Sequence, residues 1–174
     1  MRLIVLDTET TGLSPKSGHR IVEIAAIEID ESGNAIHTFH HYINPNRHIP
    51  AVVVRVHGID DEAVERKPYF ADIAKAFLNF VEGATLIIHN APFDMGFIEH
   101  ELSLCNAHGI AAMPVIDTLK MARKKFKGQK NNLDSLCRRY DISCEHRQLH
   151  GALLDAKLLA EVYVAMNSDV RSVY

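Results

Sequence analysis

The sequence has few cysteines, no long apolar run and no excess of positive charge, and each shortage excludes a class of protein. Its 174 residues include three cysteines without a CxxC spacing, so neither a disulfide framework nor a zinc site is indicated. The longest apolar runs fall far short of the roughly 20 residues that span a bilayer. The net charge of −3 argues against a broad basic surface that coats nucleic acid. We expect a protein of the reducing cytoplasm without a membrane anchor.

Size and composition favour a single domain over residues 1–174. With 47% hydrophobic and 24% charged residues, the chain falls within the range of globular proteins. A chain of this length can bury a full hydrophobic core without stabilising disulfides or structural metals. The N-terminus MRLIVLDTETTG contains no apolar stretch of the length that a secretory signal needs, so we expect the mature chain to begin here.

The spacing of apolar residues predicts an α/β fold. Strands are expected at residues 2–8, 19–30, 35–43, in TLIIH and in PVID, the first three forming an antiparallel meander. Residues 44–68 indicate a loop with short helical turns that serves as a substrate-facing flap. Helices are expected at residues 69–82, 92–105, 117–126, 132–140 and 150–166. This order predicts a mixed five-stranded sheet with helices packed on it and right-handed crossovers.

Four acidic residues stand in otherwise apolar stretches, where an unpaired charge costs several kcal/mol. They are Asp7 and Glu9 in LIVLDTETTG, Asp94 in LIIHNAPFD and Asp155 in LHGALLDAKLLAEVY. Strand residues at i and i+2 share a face, about 6.6 Å apart, so Asp7 and Glu9 can reach one divalent ion while Thr8 points the other way. Together with His150, these acids predict a two-metal site.

Each of these residues has a simpler interpretation when it is taken alone. Asp7 and Glu9 suit a solvated strand end, and Asp94 suits a helix start, where it would cap free N–H groups. Asp155 could belong to a polar helix stripe, and a lone histidine before a helix is more often an ordinary polar residue. Only the combination favours a metal site.

Three stretches, DTETTG, HNAPFD and HGALLDA, resemble the motifs of the histidine-bearing DEDD (DEDDh) exonucleases. The likeness to proofreading exonuclease subunits of bacterial replicative polymerases continues through VHGID, DSLCRRY and LHGALLDAKLLAEVYVAM, over nearly the whole chain. The resemblance implies an RNase H-like fold and a 3′→5′ exonuclease that releases nucleoside 5′-monophosphates. It assigns metal binding to Asp7, Glu9, Asp94 and Asp155, and the role of general base to His150.

The chemistry of these residues agrees with that implied assignment. Hard carboxylate ligands suit two ions of Mg²⁺ or Mn²⁺ rather than zinc. Two such ions about 3.5–4 Å apart can activate water and stabilise a leaving oxygen. His150 must be neutral to accept a proton, so we expect an alkaline pH optimum.

The resemblance also implies contacts to the terminal nucleotide. Backbone N–H groups of Thr10, Thr11 and Gly12 would face this nucleotide, although the TTG stretch could be a simple turn. The pocket for the last base and sugar would include His57, Asn90 and Phe93, for which core packing is the alternative. The basic residues of ARKKFKGQK, at a predicted helix end, are interpreted as a solvated face rather than a phosphate track.

The implied substrate is a single-stranded or frayed 3′ end of DNA, and the implied partners are a polymerase subunit and a small accessory subunit. We expect a monomer in isolation. The related subunits carry a C-terminal extension that holds the polymerase, whereas this sequence stops at Tyr174, so a trimmed form and a different partner both stay open. Two rival functions are an RNA-trimming exonuclease, distinguished by contacts to the 2′-OH, and a non-catalytic nucleic-acid-binding module.

Overall fold

A five-stranded mixed sheet forms the centre of the molecule. The computed structural model describes residues 1–144 and 148–171, with side chains described as far as residue 168. The strands are β1 (Arg2–Thr10), β2 (Ile21–Ile29), β3 (Ala35–Tyr42), β4 (Ala84–Ile88) and β5 (Val115–Asp117). Their order across the sheet is β3-β2-β1-β4-β5. The antiparallel meander β1–β3 and the mixed sheet predicted from the sequence are therefore confirmed.

β1 is longer than its neighbour β4, and this difference creates the site. On one side β1 pairs antiparallel with β2 along nearly its full length, with Glu9 opposite Glu23. On the other side it pairs with β4 only as far as Val5. The predicted end of β1 at residue 8 was too early, because Thr10 still pairs with Ile21 after a register shift. The last residues of β1 thus extend beyond β4 with one edge unpaired by that strand.

The helices lie close to their predicted positions. They are α1 (Ala51–His57), α2 (Asp61–Val64), α3 (Phe70–Val81), α4 (Ala91–Leu104), α5 (Thr118–Lys125), α6 (Leu133–Arg139) and α7 (Ala152–Arg171). The predicted flap contains the two short helices α1 and α2. α3 ends just before Gly83, whose φ of 70° is the left-handed conformation that glycine adopts readily. In the part of the chain described above, no helix combines the length and apolar character that crossing a membrane requires.

The two faces of the sheet are covered by different helices. Ile4 and Leu6 of β1 are fully buried in a cluster with residues of α3 and α4. Val5 points to the opposite face, where it packs with Ala156 and Leu159 of α7. Because side chains alternate along a strand, Thr8 continues the α4 face, whereas Asp7 and Glu9 continue the α7 face.

Candidate active site

Three of the five predicted catalytic and metal-binding residues meet where β1 approaches the start of α7. Ligand atoms of Glu9, His150 and Asp155 all lie within 4.8 Å of one another. The Nδ1 atom of His150 is 3.4 Å from Oδ2 of Asp155. The Asp155 side chain is buried, whereas that of His150 is 45% exposed. A buried carboxylate beside a water-accessible imidazole can bind a cation and exchange a proton with solvent.

Asp7 faces the same cavity, which has a volume of about 350 Å³. His150 and Asp155 line it from α7 and the segment before it, and Asp134 of α6 and His89 add further polar groups. A larger cavity of about 440 Å³, beside His48 and Asp61, is lined by other residues. The smaller cavity is therefore the candidate active site, because three of the predicted site residues, Asp7, His150 and Asp155, line it.

Asp94 occupies a different position from the other acids. It lies in the first turn of α4, at the edge of β1 that β4 leaves unpaired, and is 3% exposed. Its Oδ1 accepts hydrogen bonds from the backbone N–H of Thr8 at 3.0 Å and from the Thr8 hydroxyl at 2.7 Å. The N-cap of α4 is Asn90. Asp94 therefore anchors the protruding end of β1, while its carboxylate also accepts its own backbone N–H in the first turn of α4.

The buried acids are crowded enough to resist ionisation. Burial raises the pKa of Asp7 well above its usual range, and the nearby charges of Asp94 and Glu9 raise it further. Burial also raises the pKa of Asp94 to about 7, although the hydrogen bonds from Thr8 act in the opposite direction. A divalent cation would relieve this repulsion, and oxygen donors are the ligands that Mg²⁺ and Mn²⁺ prefer. The donor set thus fits a hard divalent ion.

Two contacts hold the segment that carries His150. Its backbone N–H donates to the carbonyl of Val56 at 2.9 Å. Two residues later, the N–H of Ala152 donates to Oε2 of Glu23 at 3.0 Å. Glu23 was absent from the predicted site, although it shows the same signal as Asp7: an acid within an apolar strand, IVEIAAIEI.

The TTG stretch does not offer all the donors that were predicted. The N–H of Thr11 donates to the carbonyl of Arg20 at 2.8 Å, and its hydroxyl accepts the Arg20 N–H at 3.0 Å. Thr11 is fully buried and this N–H is bound within the protein, while its contact with the nucleotide stays a prediction. The Thr10 hydroxyl donates to the carbonyl of Gly12 at 2.6 Å. A side chain at position 12 would overlap the His19 ring, which explains the glycine.

His57 also has an internal role. Its Nδ1 accepts the N–H of Ile59 at 3.1 Å, so the hydrogen lies on Nε2, which is 3.2 Å from the carbonyl of Thr10. Burial lowers its pKa, which favours this neutral form. Both ring nitrogens are engaged inside the protein, and the contact of His57 with the last base and sugar stays a prediction. His57 instead ties the end of α1 to the end of β1.

The other two predicted pocket residues are more accessible. Asn90 is exposed and has a φ of 69°, a left-handed conformation that asparagine tolerates. Phe93 is half-buried, and its ring centroid is 5.1 Å from that of Phe97. Both residues lie at the start of α4, so their contact with a substrate stays a prediction.

The basic residues at the end of α5 and just after it are mostly exposed, and their interpretation as a solvated face stays a prediction. Arg123, Lys124 and Lys127 are exposed. Lys125 is the exception, since its ammonium donates to the carbonyl of Met166 at 3.2 Å. This contact joins α5 to α7, so the Lys125 ammonium is bound within the protein and does not point freely toward a phosphate.

The sequence pattern of the family described as Exonuclease matches residues 4–163. The chain belongs to the exonuclease family. Among curated proteins, this exonuclease is 51% identical to the DNA polymerase III subunit epsilon of Rickettsia felis, over 100% of its own length and 77% of that protein. It is 45% identical to the protein of the same name from Pasteurella multocida, over 99% and 71%.

Solved structures support the same assignment. Exonuclease X in complex with 5′ overhanging duplex DNA superposes with a TM-score of 0.73 at 26% identity, covering 97% of this chain and 93% of that one. The nuclease domain of 3′hExo, a DEDDh member bound to rAMP, gives a TM-score of 0.83 at 19% identity, covering 97% and 92%. The latter likeness concerns the fold alone and confirms the predicted RNase H-like architecture.

Membership in this family makes the protein a 3′→5′ exonuclease, a hydrolase of the proofreading type. Phosphodiester hydrolysis by an exonuclease with this cluster of carboxylate and imidazole donors implies divalent metal ions. The two curated relatives are named as subunits of DNA polymerase III.

Proposed function

We propose that this exonuclease removes the 3′-terminal nucleotide of a single-stranded or frayed DNA end and releases a nucleoside 5′-monophosphate, as the proofreading subunit of the replicative DNA polymerase III. The observation that carries this proposal is the grouping of Glu9, His150 and Asp155 within 4.8 Å, beside the cavity that Asp7 lines. Such a cluster has the donors for metal-assisted phosphodiester hydrolysis.

Two divalent ions, Mg²⁺ or Mn²⁺, are the proposed cofactors. Asp7, Glu9 and Asp155 would hold them, with Asp94 as the fourth ligand because its charge acts directly on Asp7. When bound, the ions would supply Lewis-acid chemistry that offsets the charge developing at phosphorus and at the leaving 3′-oxygen. Neighbouring carboxylates that repel one another, as here, are strongly stabilised in their ionised forms by such ions.

His150 is the proposed general base. Its half-exposed ring is accessible to water, and the Asp155 carboxylate 3.4 Å from Nδ1 would favour one ring orientation. In its neutral form the imidazole would accept the proton of the attacking water. The substrate would approach from the start of α4, where Asn90 and Phe93 offer a polar group and an aromatic face.

The proposed partners follow from the names of the relatives. We propose that residues 1–174 form one exonuclease domain that binds the polymerase III alpha subunit and a small accessory subunit, and that is monomeric in isolation. Association with a replicative polymerase would put the protein in the bacterial cytoplasm, where the chromosome lies.

The test is the degradation of a 5′-labelled single-stranded DNA oligomer with Mg²⁺, Mn²⁺ or EDTA, beside an RNA of identical sequence. We expect stepwise, metal-dependent shortening of the DNA from its 3′ end, with the RNA largely spared. A preference for RNA would move the protein to the RNA-trimming class. Absence of cleavage on both would leave a nucleic-acid-binding module. Asp155→Asn, purified in parallel, controls for contaminating nucleases.

A further inference from the structure

Glu23 lies next to the candidate active site without lining its cavity. It belongs to β2, is 2% exposed and stands directly opposite Glu9 in the antiparallel register. A carboxylate buried to this degree requires donors close to its oxygens, because an uncompensated charge in the interior is costly. The two oxygens of Glu23 have separate donors on different elements.

One oxygen is bound by the beginning of α7. Oε2 of Glu23 accepts the N–H of Ala152, the first residue of the helix, at 3.0 Å. This N–H is one of the first four in a helix, which have no partner inside the helix itself. An anion is favoured there by the helix dipole as well. Glu23 thus joins β2 to the first turn of α7, which carries Asp155 and comes directly after the segment with His150.

The other oxygen is fixed from the neighbouring strand. Oε1 of Glu23 is 2.8 Å from Nε2 of His40, on β3. His40 is half-buried, and its ring centroid is 5.2 Å from that of Tyr42. The carboxylate is therefore held on one side by β3 while it holds α7 on the other.

The position of Ala152 decides the positions of both reactive side chains. His150 precedes it by two residues, and its N–H is bound by Val56. Asp155 follows it by three residues, and its N–H donates to the carbonyl of Gly151 at 2.8 Å, which closes the first helical turn. A shift of Ala152 would therefore move His150 and Asp155 together relative to Glu9.

We propose that Glu23, oriented by His40, is a positioning residue for the exonuclease reaction: it sets the start of α7 and so the alignment of His150 and Asp155 with β1. This inference rests on the proposed function of His150 and Asp155. Glu23 acts through the Ala152 N–H and is not a metal ligand in this assignment.

Two substitutions at Glu23 distinguish a positioning role of its hydrogen bonds from an effect of its negative charge. Glu23→Ala removes both hydrogen bonds. Glu23→Gln keeps a carbonyl oxygen for the Ala152 N–H, while its amide can donate to His40, whose ring nitrogens exchange roles between tautomers. We expect Glu23→Ala to lower kcat on single-stranded DNA about 10–100-fold with little change in KM, as for other residues that support metal ligands. Glu23→Gln should recover most of that loss and keep the affinity for Mn²⁺.

Ile27→Ala provides the matched control for lost stability. Ile27 lies on the same strand and the same face as Glu23, is 1% exposed and packs in the α7 cluster. It should lower the melting temperature at least as much as Glu23→Ala while kcat stays close to that of the wild type. An equal loss of kcat in Ile27→Ala would reduce Glu23 to a general stabilising residue and overturn the proposal.

Three other outcomes would also overturn it. The first is a kcat for Glu23→Ala within twofold of the wild type. The second is a Glu23→Gln variant that is as inactive as Glu23→Ala or that has lost its affinity for Mn²⁺. Either result would mean that the negative charge of Glu23, and not its hydrogen bonds, supports the reaction. The third is an unaltered His150 ring signal in NMR spectra of Glu23→Ala. The NMR measurement needs no substrate, so it tests the positioning role of Glu23 separately from catalysis. A wild-type protein that cleaves neither DNA nor RNA would contradict the proposed function and leave the NMR test of Glu23 valid.

Discussion

The acids on the two faces of the sheet are held in different ways. On the α4 face, Asp94 is 3% exposed and accepts two hydrogen bonds from Thr8. On the α7 face, Asp155 lies beside His150, whose side chain is 45% exposed, and both depend on the start of a helix. The α4 face thus supplies a rigid support for β1, whereas the α7 face supplies the groups that water can reach.

An ion pair with a buried carboxylate strengthens the α4 face further. Arg20, the residue before β2, donates twice to Glu101 of α4, each time at 2.8 Å. Glu101 also accepts the N–H of Ile21 at 3.2 Å. Because Arg20 is bound through its backbone to Thr11, this pair fixes the end of β1 to the helix that carries Asp94. The contrast implies that substitutions on the α7 face lower the rate of catalysis, while substitutions on the α4 face lower the stability of the protein or its affinity for ions.

The largest effect is expected for the reactive groups of the α7 face. His150→Ala and Asp155→Ala should each lower kcat by about 10²–10⁴-fold, the range for loss of a general base or an essential metal-site group. Their circular dichroism spectra should match the wild type, because neither side chain supports the core. Lys157→Ala, exposed on the same helix, serves as the control. Normal turnover in either variant would contradict the assignment of the site.

The next effect concerns stability on the α4 face. Arg20→Met leaves the carboxylate of Glu101, whose side chain is 1% exposed, without its cation. Breaking a buried pair in this way costs about 3–5 kcal/mol of the free energy of unfolding. Arg2→Met breaks the more exposed pair with Glu28 and should cost less than about 1 kcal/mol. Urea denaturation of both variants measures the difference, and equal losses would refute it.

A smaller effect should connect the two faces. Thr8→Val keeps the shape and the backbone N–H but removes the hydroxyl that donates to Asp94 at 2.7 Å. Loss of a hydrogen bond to a metal-site carboxylate costs about 10–100-fold in metal affinity or activity. Thr8→Ser retains the hydroxyl and should behave like the wild type. Titration with Mn²⁺ provides the measurement, and an unchanged affinity in Thr8→Val would leave Asp94 outside the metal site.

Much of this arrangement could be predicted from local sequence. Alternation along β1 placed Thr8 opposite to Asp7 and Glu9, and the structure confirms the two faces. The helices lie within a few residues of their predicted ends, except α7, which continues to Arg171. These successes depend on periodicity, which is visible within about ten residues.

The roles that were missed depend on partners far away in the sequence. His57 is engaged by the carbonyl of Thr10, 47 residues earlier, and Glu23 by the N–H of Ala152, 129 residues later. No local pattern distinguishes a histidine that binds a backbone carbonyl from one that faces a nucleotide. Asp94 was correctly placed at a helix start, but its bonds to Thr8 follow from β1 extending beyond β4, which is a property of the sheet.

The smallest expected effect, a few degrees in melting temperature, tests whether an ion offsets the repulsion between the buried acids. The pKa of Asp94 rises from 3.8 to about 7 in the folded protein, so its protonated form favours folding. That contribution is complete below about pH 4 and is lost as the pH rises through about 7. An ion must displace this proton, so Mn²⁺ should raise the melting temperature more at pH 8 than at pH 5. Asp94→Asn should flatten the pH dependence measured in EDTA. An identical gain from Mn²⁺ at both pH values would contradict this displacement of protons by the ion.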